Sequence, residues 1–352
     1  MFLPPPFGWF APPEPGDRPN ATYWLMAAVL GVLIFAYLAG RALQRRSSTQ
    51  FNPAVIRRFN LRIRFWWLMF SIIVASFLLG RTAAVILFGV VSFWSLREYI
   101  AMTLTRRGDH RALIWTFFLL LPGHYLLIVL GRGGYKWLTG SEGDFYSVYS
   151  VALPLACMLL IPTRIAISGD PRRFWERAVK IQMGIMICVY ALGFAPALLN
   201  LRLTHSDGQP WSLSGSPLEN ATLLFYFLLL VQLNDVLQYA WGGWLGRRLV
   251  APRISASRTW EGLLGGVAST TLVGALLCKF TPFRLLEAAC MASAVAVAGW
   301  AGGMVMSAVK RDRGIDDYGS LVQGHAGILD RIDSLCFAAP VFYILTRSFF
   351  SE

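Results

Sequence analysis

Apolar runs of about twenty residues recur along the chain, with only short polar loops between them. A bilayer core about 30 Å thick is crossed by about 20 apolar residues in a helix. In hydrocarbon the backbone must satisfy its own hydrogen bonds, so such runs are helical. Ten candidate spans follow: 22–40, 65–80, 82–97, 113–130, 145–162, 181–199, 221–241, 263–280, 285–306 and 335–350. The second, third and last are short for full spans. The break at Gly80-Arg81 makes spans two and three a hairpin. Composition agrees, with 56% hydrophobic and 14% charged residues against about 25% charged in soluble domains. The expected fold is all-α, a polytopic transmembrane helix bundle with no soluble domain.

The basic residues orient the bundle. Loops 41–64, 98–112, 163–180, 242–262 and 307–334, with Arg97 at an edge, hold 24 of the 32 Lys and Arg; the alternate side, both termini included, holds 8. Cytoplasmic loops carry the Lys/Arg excess, so the first set is cytoplasmic and both termini lie outside. A missed span would break the alternation, which supports the count of ten. Three regions are expected: a Pro-rich external segment (1–21), N-terminal transmembrane helices (22–220) and a C-terminal transmembrane catalytic region (221–352). Six prolines before Asp17 forbid a regular helix there. That stretch lacks the basic start and apolar core of a cleavable signal peptide.

The net charge of +13 does not point to nucleic acid, because the basic residues lie between apolar runs and form no continuous patch. The cysteines at 157, 188, 278, 290 and 336 sit singly, without a CxxC pair or a His cluster, as small core residues do.

Two regions carry polar residues that a bilayer rejects. In 221–241, Asn234, Asp235 and Gln238 interrupt an apolar helix near its cytoplasmic end. A carboxylate in hydrocarbon costs about 2.5–3.5 kcal/mol on insertion scales, so Asp235 is a candidate for lining a polar cavity. Asn234 and Gln238 share a face and could equally glue helices together. The following loop supplies Arg253, Ser255, Arg258, Thr259 and Glu261, with Trp260 as an interfacial aromatic.

The densest charge lies in Ser307–Asp333, where 27 residues include Lys310, Arg311, Asp312, Arg313, Asp316, Asp317, His325, Asp330, Arg331 and Asp333. Asp330 and Asp333, three apart, share a helix face. Gly319, Gly324 and Gly327 let the chain bend and return Asp317 towards them. Carboxylates about 5 Å apart repel by about 3 kcal/mol at an effective dielectric near 20. A hard cation relieves this, and Mg²⁺ suits a site beside phosphates. Lys310, Arg311 and Arg331 would neutralise phosphate oxygens. His325 could act as a base, bind phosphate or brace the Gly-rich turn. There is no GxSxG, HExxH or Walker A motif.

Together these regions resemble the phosphatidate cytidylyltransferase (CDP-diacylglycerol synthase) family. Its C-terminal pattern is met by Ser307, Lys310, Arg311, Asp317, Gly319, His325, Gly327, Asp330, Arg331 and Asp333. An upstream element, an Asp ending a span and then S-x-x-K-T-W-E-G, is met by Asp235 and by Ser255 to Gly262, with Arg258 in place of Lys. Leu96-Arg97-Glu98 looks like a further short family element. Three positions depart: Asp316 for Lys, Gln323 for Pro and Ala326 for Gly. Asp316 reverses a charge inside the site.

The resemblance implies that CTP and phosphatidate give CDP-diacylglycerol and pyrophosphate. It implies metal at Asp235, Asp317, Asp330 and Asp333, catalysis by Lys310, Arg311, His325 and Arg331, and substrate binding by Ser255, Arg258, Thr259 and Glu261. The expected cofactor is Mg²⁺, with room for a second cation. The expected partners are CTP, a lipid phosphate and membrane lipids, and a homodimer stays open. The expected setting is a bacterial inner membrane with the site facing the cytoplasm. A related transferase acting on another lipid phosphate and an inactive scaffold paralogue stay open as alternatives. A transporter would more often show inverted repeats and broken helices near midplane; neither is seen.

Overall fold

The computed structural model describes residues 79–352 apart from 104–105, 140–144, 206–207, 209–210, 212–218, 256, 316–326 and 352, with isolated positions at 30, 71, 74 and 75. The chain forms two compact units, Met1–Ala84 with Ser212–Thr222, and Val85–Trp211 with Leu223–Glu352. Nearly all of the first lies outside the described residues. So do the Pro-rich segment and almost all of the spans expected at 22–40 and 65–80.

Seven described helices are long and apolar enough to cross a membrane. They are α1 (Arg81–Ala101), α2 (His110–Gly131), α3 (Tyr146–Ala166), α4 (Phe174–Asn200), α5 (Asn220–Leu245), α7 (Leu285–Arg313) and α8 (Leu329–Phe350). Between α5 and α7 lies α6 (Trp260–Leu276), only 17 residues long. Each span expected from residue 82 onward therefore has a helix. The protein is an all-α polytopic bundle, and among the described residues only two isolated β-bridges occur, with no strand.

Two spans expected to be short are longer, because both helices run on through charged residues. α1 carries Arg97 and Glu98 in its last turns, and α8 begins at Leu329, so Asp330, Arg331 and Asp333 are helical. Gly80 takes φ 102 immediately before Arg81, a backbone that glycine adopts without steric cost, so the break falls at the expected place.

Contacts sort the loops into two ends. At one end Arg106 pairs with Asp170 at 2.6 Å, and buried Arg177 reaches Asp109 at 3.3 Å and Asp170 at 3.5 Å. The hydrogen bond from Arg106 holds the half-buried Asp170 carboxyl below the usual carboxylate range. Arg311 Nε donates to the Ile254 carbonyl at this same end. At the other end the Thr204 amide donates to the Phe350 carbonyl, and His205 Nδ1 lies 3.0 Å from the Pro282 carbonyl. The described loops that were assigned to one side by charge thus meet at one end.

Glu98 ties α1 to α8. Its carboxylate accepts from the amides of Ile328 (3.1 Å) and Leu329 (2.9 Å). These are unsatisfied donors at a helix N-terminus, where negative charge is favoured. Glu98→Ala is expected to lower stability by about 2 kcal/mol, and Glu98→Gln by about half that. Thermal melting in detergent checks this. Equal melting of all three proteins would remove Glu98 from the account of how α8 is held.

Candidate active site

One face of α7 organises the site. Ala296, Gly299, Trp300, Gly303, Ser307 and Lys310 recur at the three- and four-residue spacing of a helix face. Towards the membrane interior, fully buried Asn234 donates through Nδ2 to the Ala296 carbonyl at 3.0 Å and accepts from Thr270 at 3.4 Å. Asn234 therefore joins α5, α6 and α7 and serves the bundle. A Cβ at Gly266 would collide with Gln238, so Gln238 packs tightly on α6. The expected polar face of α5 thus divides, with Asn234 and Gln238 packing between helices and Asp235 turned to α8.

Asp235 accepts from Ser334 Oγ at 2.9 Å. Asp333 Oδ1 lies 3.3 Å from the same Ser334 Oγ and accepts from the Ser334 amide at 2.7 Å. The two carboxylate oxygens are therefore no farther apart than the sum of the two hydroxyl distances. A hydroxyl carries one proton and donates to one acceptor at a time. At any instant one of these carboxylates lacks that donor. Two such charges repel by about 3 kcal/mol at an effective dielectric of 20. Oxygen ligands of this kind fit a hard divalent cation.

Asp330 is paired with a lysine. Its Oδ1 accepts from Lys310 Nζ at 2.8 Å, with 8% of the Asp330 side chain and 18% of the Lys310 side chain exposed. Among the described residues no three His, Cys, Asp or Glu side chains group as a ligand set. Asp316, Asp317 and His325 lie outside the described residues. Among the described residues, Ser334 Oγ brings the Asp235 and Asp333 carboxylates together. Arg331 is half-buried in the first turn of α8, and its carbonyl lies 3.5 Å from Gln232 Nε2.

The loop between α5 and α6 forms a small hairpin. Leu249 and Thr259 pair antiparallel, the Val250 amide donates to the Arg258 carbonyl, and the Trp260 amide donates to the Arg248 carbonyl. Thr259 is the N-cap of α6, its Oγ1 accepting from the Gly262 amide at 3.0 Å. Glu261 accepts from the amides of Arg247 (3.1 Å) and Arg248 (3.2 Å). Ser255 is buried in the same loop. Thr259 and Glu261, expected to bind substrate, thus spend these hydrogen bonds on the hairpin itself.

The hairpin aims Arg258 across α7. Arg258 Nη1 donates to the Trp300 carbonyl at 3.3 Å, and its guanidinium lies where a Cβ at position 303 would stand. This seat lies one turn along α7 from Gly299, where a Cβ would touch Ser334. The arrangement sets two carboxylates and a bridging hydroxyl beside one guanidinium, with a lysine–aspartate pair on the same helix face. It can bind a cation and polyanionic phosphates together.

Sequence reasoning missed Ser334, Gly303 and the capping role of Glu98. Ser334 adjoins Asp333 in sequence, which was its available signal. Gly303 lies within Gly302-Gly303, a pair open to reading as helix packing alone.

The sequence pattern of the cytidylyltransferase family matches residues 60–349. The chain is similar to "Uncharacterized protein YnbB" of Escherichia coli (strain K12), 35% identical over 329 residues, which cover 92% of this chain and 97% of that one. It is similar to a phosphatidate cytidylyltransferase of Haemophilus influenzae (strain ATCC 51907 / DSM 11121 / KW20 / Rd), 30% identical over 181 residues, covering 48% of this chain and 58% of the other. A phosphatidate cytidylyltransferase of Aquifex aeolicus (strain VF5) is 37% identical over 123 residues, covering 35% and 46%. The chain thus spans about half the length of these two phosphatidate cytidylyltransferases. The matched pattern, the near full-length relative above 30% identity and the helical bundle agree: the chain belongs to the cytidylyltransferase family.

Proposed function

We propose that the protein transfers a cytidylyl group from CTP to phosphatidate, giving CDP-diacylglycerol and pyrophosphate. The carrying observation is the Asp235–Ser334–Asp333 cluster at the basic-loop end of the spans, with Arg258 seated on α7 at Trp300 and Gly303. In this reading the site faces the cytoplasm of a bacterial inner membrane, both termini lie outside and ten spans cross. The positive-inside count supports that orientation and places the site where CTP is.

An oxygen of the lipid phosphate attacks the α-phosphorus of CTP. The bond to the bridging oxygen of the β-phosphate breaks, and pyrophosphate leaves with that electron pair. The nucleophile is already anionic, so no strong base is needed. The difficulty is to align two polyanions, which positioning and charge neutralisation overcome. Asp235 and Asp333 would hold Mg²⁺, with Asp317 and Asp330 as further ligands. When bound, that ion would neutralise charge on the phosphate oxygens. Arg258, Lys310, Arg311 and Arg331 grip phosphates, and Ser255 and Thr259 orient the hairpin that carries Arg258. His325 would contact phosphate. The acyl chains stay in the bilayer beside the spans.

Asp316 stands where the family resemblance calls for Lys. This reversed charge favours, as a second reading, the same transfer to a different lipid phosphate. The test is an assay of purified full-length protein in nanodiscs with Mg²⁺, CTP and a panel of lipid phosphates. The expected result is CDP-diacylglycerol with equimolar pyrophosphate from phosphatidate. Product from another lipid phosphate alone would select the second reading. No nucleotide–lipid from any of them, with protein shown to be folded, would sink both.

A further inference from the structure

We propose that Arg258 is a tethered counter-cation for the Asp235 and Asp333 carboxylates, seated on Gly303, and that a divalent cation must compete with it. The inference rests on the reading of Asp235 and Asp333 as metal ligands. Ser334 Oγ serves one of the two carboxylates at a time, so a positive charge nearby lowers the cost of holding both together. Arg258 meets α7 at Trp300 and Gly303, one turn beyond Gly299, where a Cβ would touch Ser334, and this brings its charge close to both carboxylates.

The seat is built from two sides. The antiparallel Leu249–Thr259 bridge and the bond from the Val250 amide to the Arg258 carbonyl fix the backbone that presents the side chain. On α7, the Trp300 carbonyl accepts from Nη1, and Gly303 leaves the space that the guanidinium fills. A Cβ there would strike Nη2 and Cζ, so even alanine evicts the group. Glycine weakens a helix interior, and here the packed guanidinium explains its presence. A planar guanidinium can lie flat against a helix backbone, whereas a hydrated lysine ammonium is a point charge on a flexible stem. Arginine rather than lysine at 258 and glycine at 303 are thus two halves of one device. The guanidinium offsets the carboxylate charge in the resting site from its seat on α7, and is free to swing to phosphate oxygens once a divalent cation takes over that role.

The test measures Mn²⁺ binding to the purified full-length protein without nucleotide, by electron paramagnetic resonance of the free ion. Arg258→Gln removes the competing charge and is expected to tighten Mn²⁺ binding by about tenfold or more. Gly303→Ala keeps the charge but displaces it and should move binding the same way. Arg258→Lys should fall between Arg258→Gln and the unsubstituted protein. Thermal melts show which variants fold, and the Gly303 and Lys variants carry the test if Arg258→Gln does not. A guanidinium that only pins the hairpin to α7 would leave Mn²⁺ affinity unchanged when removed. Unchanged or weaker binding in all folded variants overturns the inference. If no protein binds Mn²⁺, the metal reading falls and the inference with it. Tighter binding in a chain that makes no nucleotide–lipid would keep the inference and discard the proposed reaction.

Discussion

Asp333→Asn is expected to lower nucleotide–lipid formation by at least about a thousandfold without unfolding the protein. That loss is about 4 kcal/mol of transition-state stabilisation. Asparagine keeps the shape of the side chain and a carbonyl oxygen for the Ser334 amide, which now donates to Asp333 at 2.7 Å. What disappears is one of two negative charges that share Ser334 Oγ. The same substitution should hold or raise the melting temperature of the metal-free protein, because it removes a repulsion of about 3 kcal/mol. Added Mg²⁺ should then stabilise the variant less than the unsubstituted protein, since a ligand that binds only the folded state stabilises it by mass action. Single-turnover assays with labelled CTP and melts with and without Mg²⁺ measure both. Turnover within tenfold of the unsubstituted protein would end the assignment of Asp333 to the reacting centre. A large fall in stability would mean that its charge holds the fold.

The bundle was legible because the hydrocarbon solvent allows one local answer. Runs such as 113–130 and 285–306 can only be helices, and their ends are blurred only where charged residues extend them. α8 shows the blurring well. Hydropathy places its start near 335, yet the helix begins at Leu329, because Asp330, Arg331 and Asp333 reach the polar end while Glu98 caps their turn. The site was legible as a set of residue types but not as a set of partners. Asp235 and Asp333 are 98 positions apart, and no periodicity says that Ser334 bridges them. Asn234, next to Asp235, packs into the helix junction instead, because adjacent positions on a helix lie about 100° apart. Thr259 and Glu261 read as ligand donors from their chemistry alone. Their hydrogen bonds go first to the hairpin and to the start of α6, where the buried Gly262 amide would otherwise stay unsatisfied.

Lys310→Met is expected to cost both activity and stability, and a second substitution separates the two. Lys310 Nζ donates to Asp330 Oδ1 at 2.8 Å, and only 8% of the Asp330 side chain is exposed. Removing one member of a buried ion pair leaves the other charge desolvated, which costs about 3–5 kcal/mol. Lys310 keeps 18% of its side chain in solvent, so about 2–4 kcal/mol is the expected loss. Methionine preserves the apolar stem, so the loss reports the charge. Asp330→Asn should destabilise for the mirror-image reason, and the Lys310→Met/Asp330→Asn double variant should recover part of the loss, as contacting residues in a mutant cycle do. Activity should not follow. If Lys310 grips phosphate or Asp330 holds the metal, the double variant stays inactive although its fold is restored. Recovery of turnover together with stability would make Lys310 a tether for Asp330 and nothing more. The phosphate grip would then fall to Arg258, Arg311 and Arg331, and the weight of the proposed chemistry would move from the end of α7 to the hairpin that meets it.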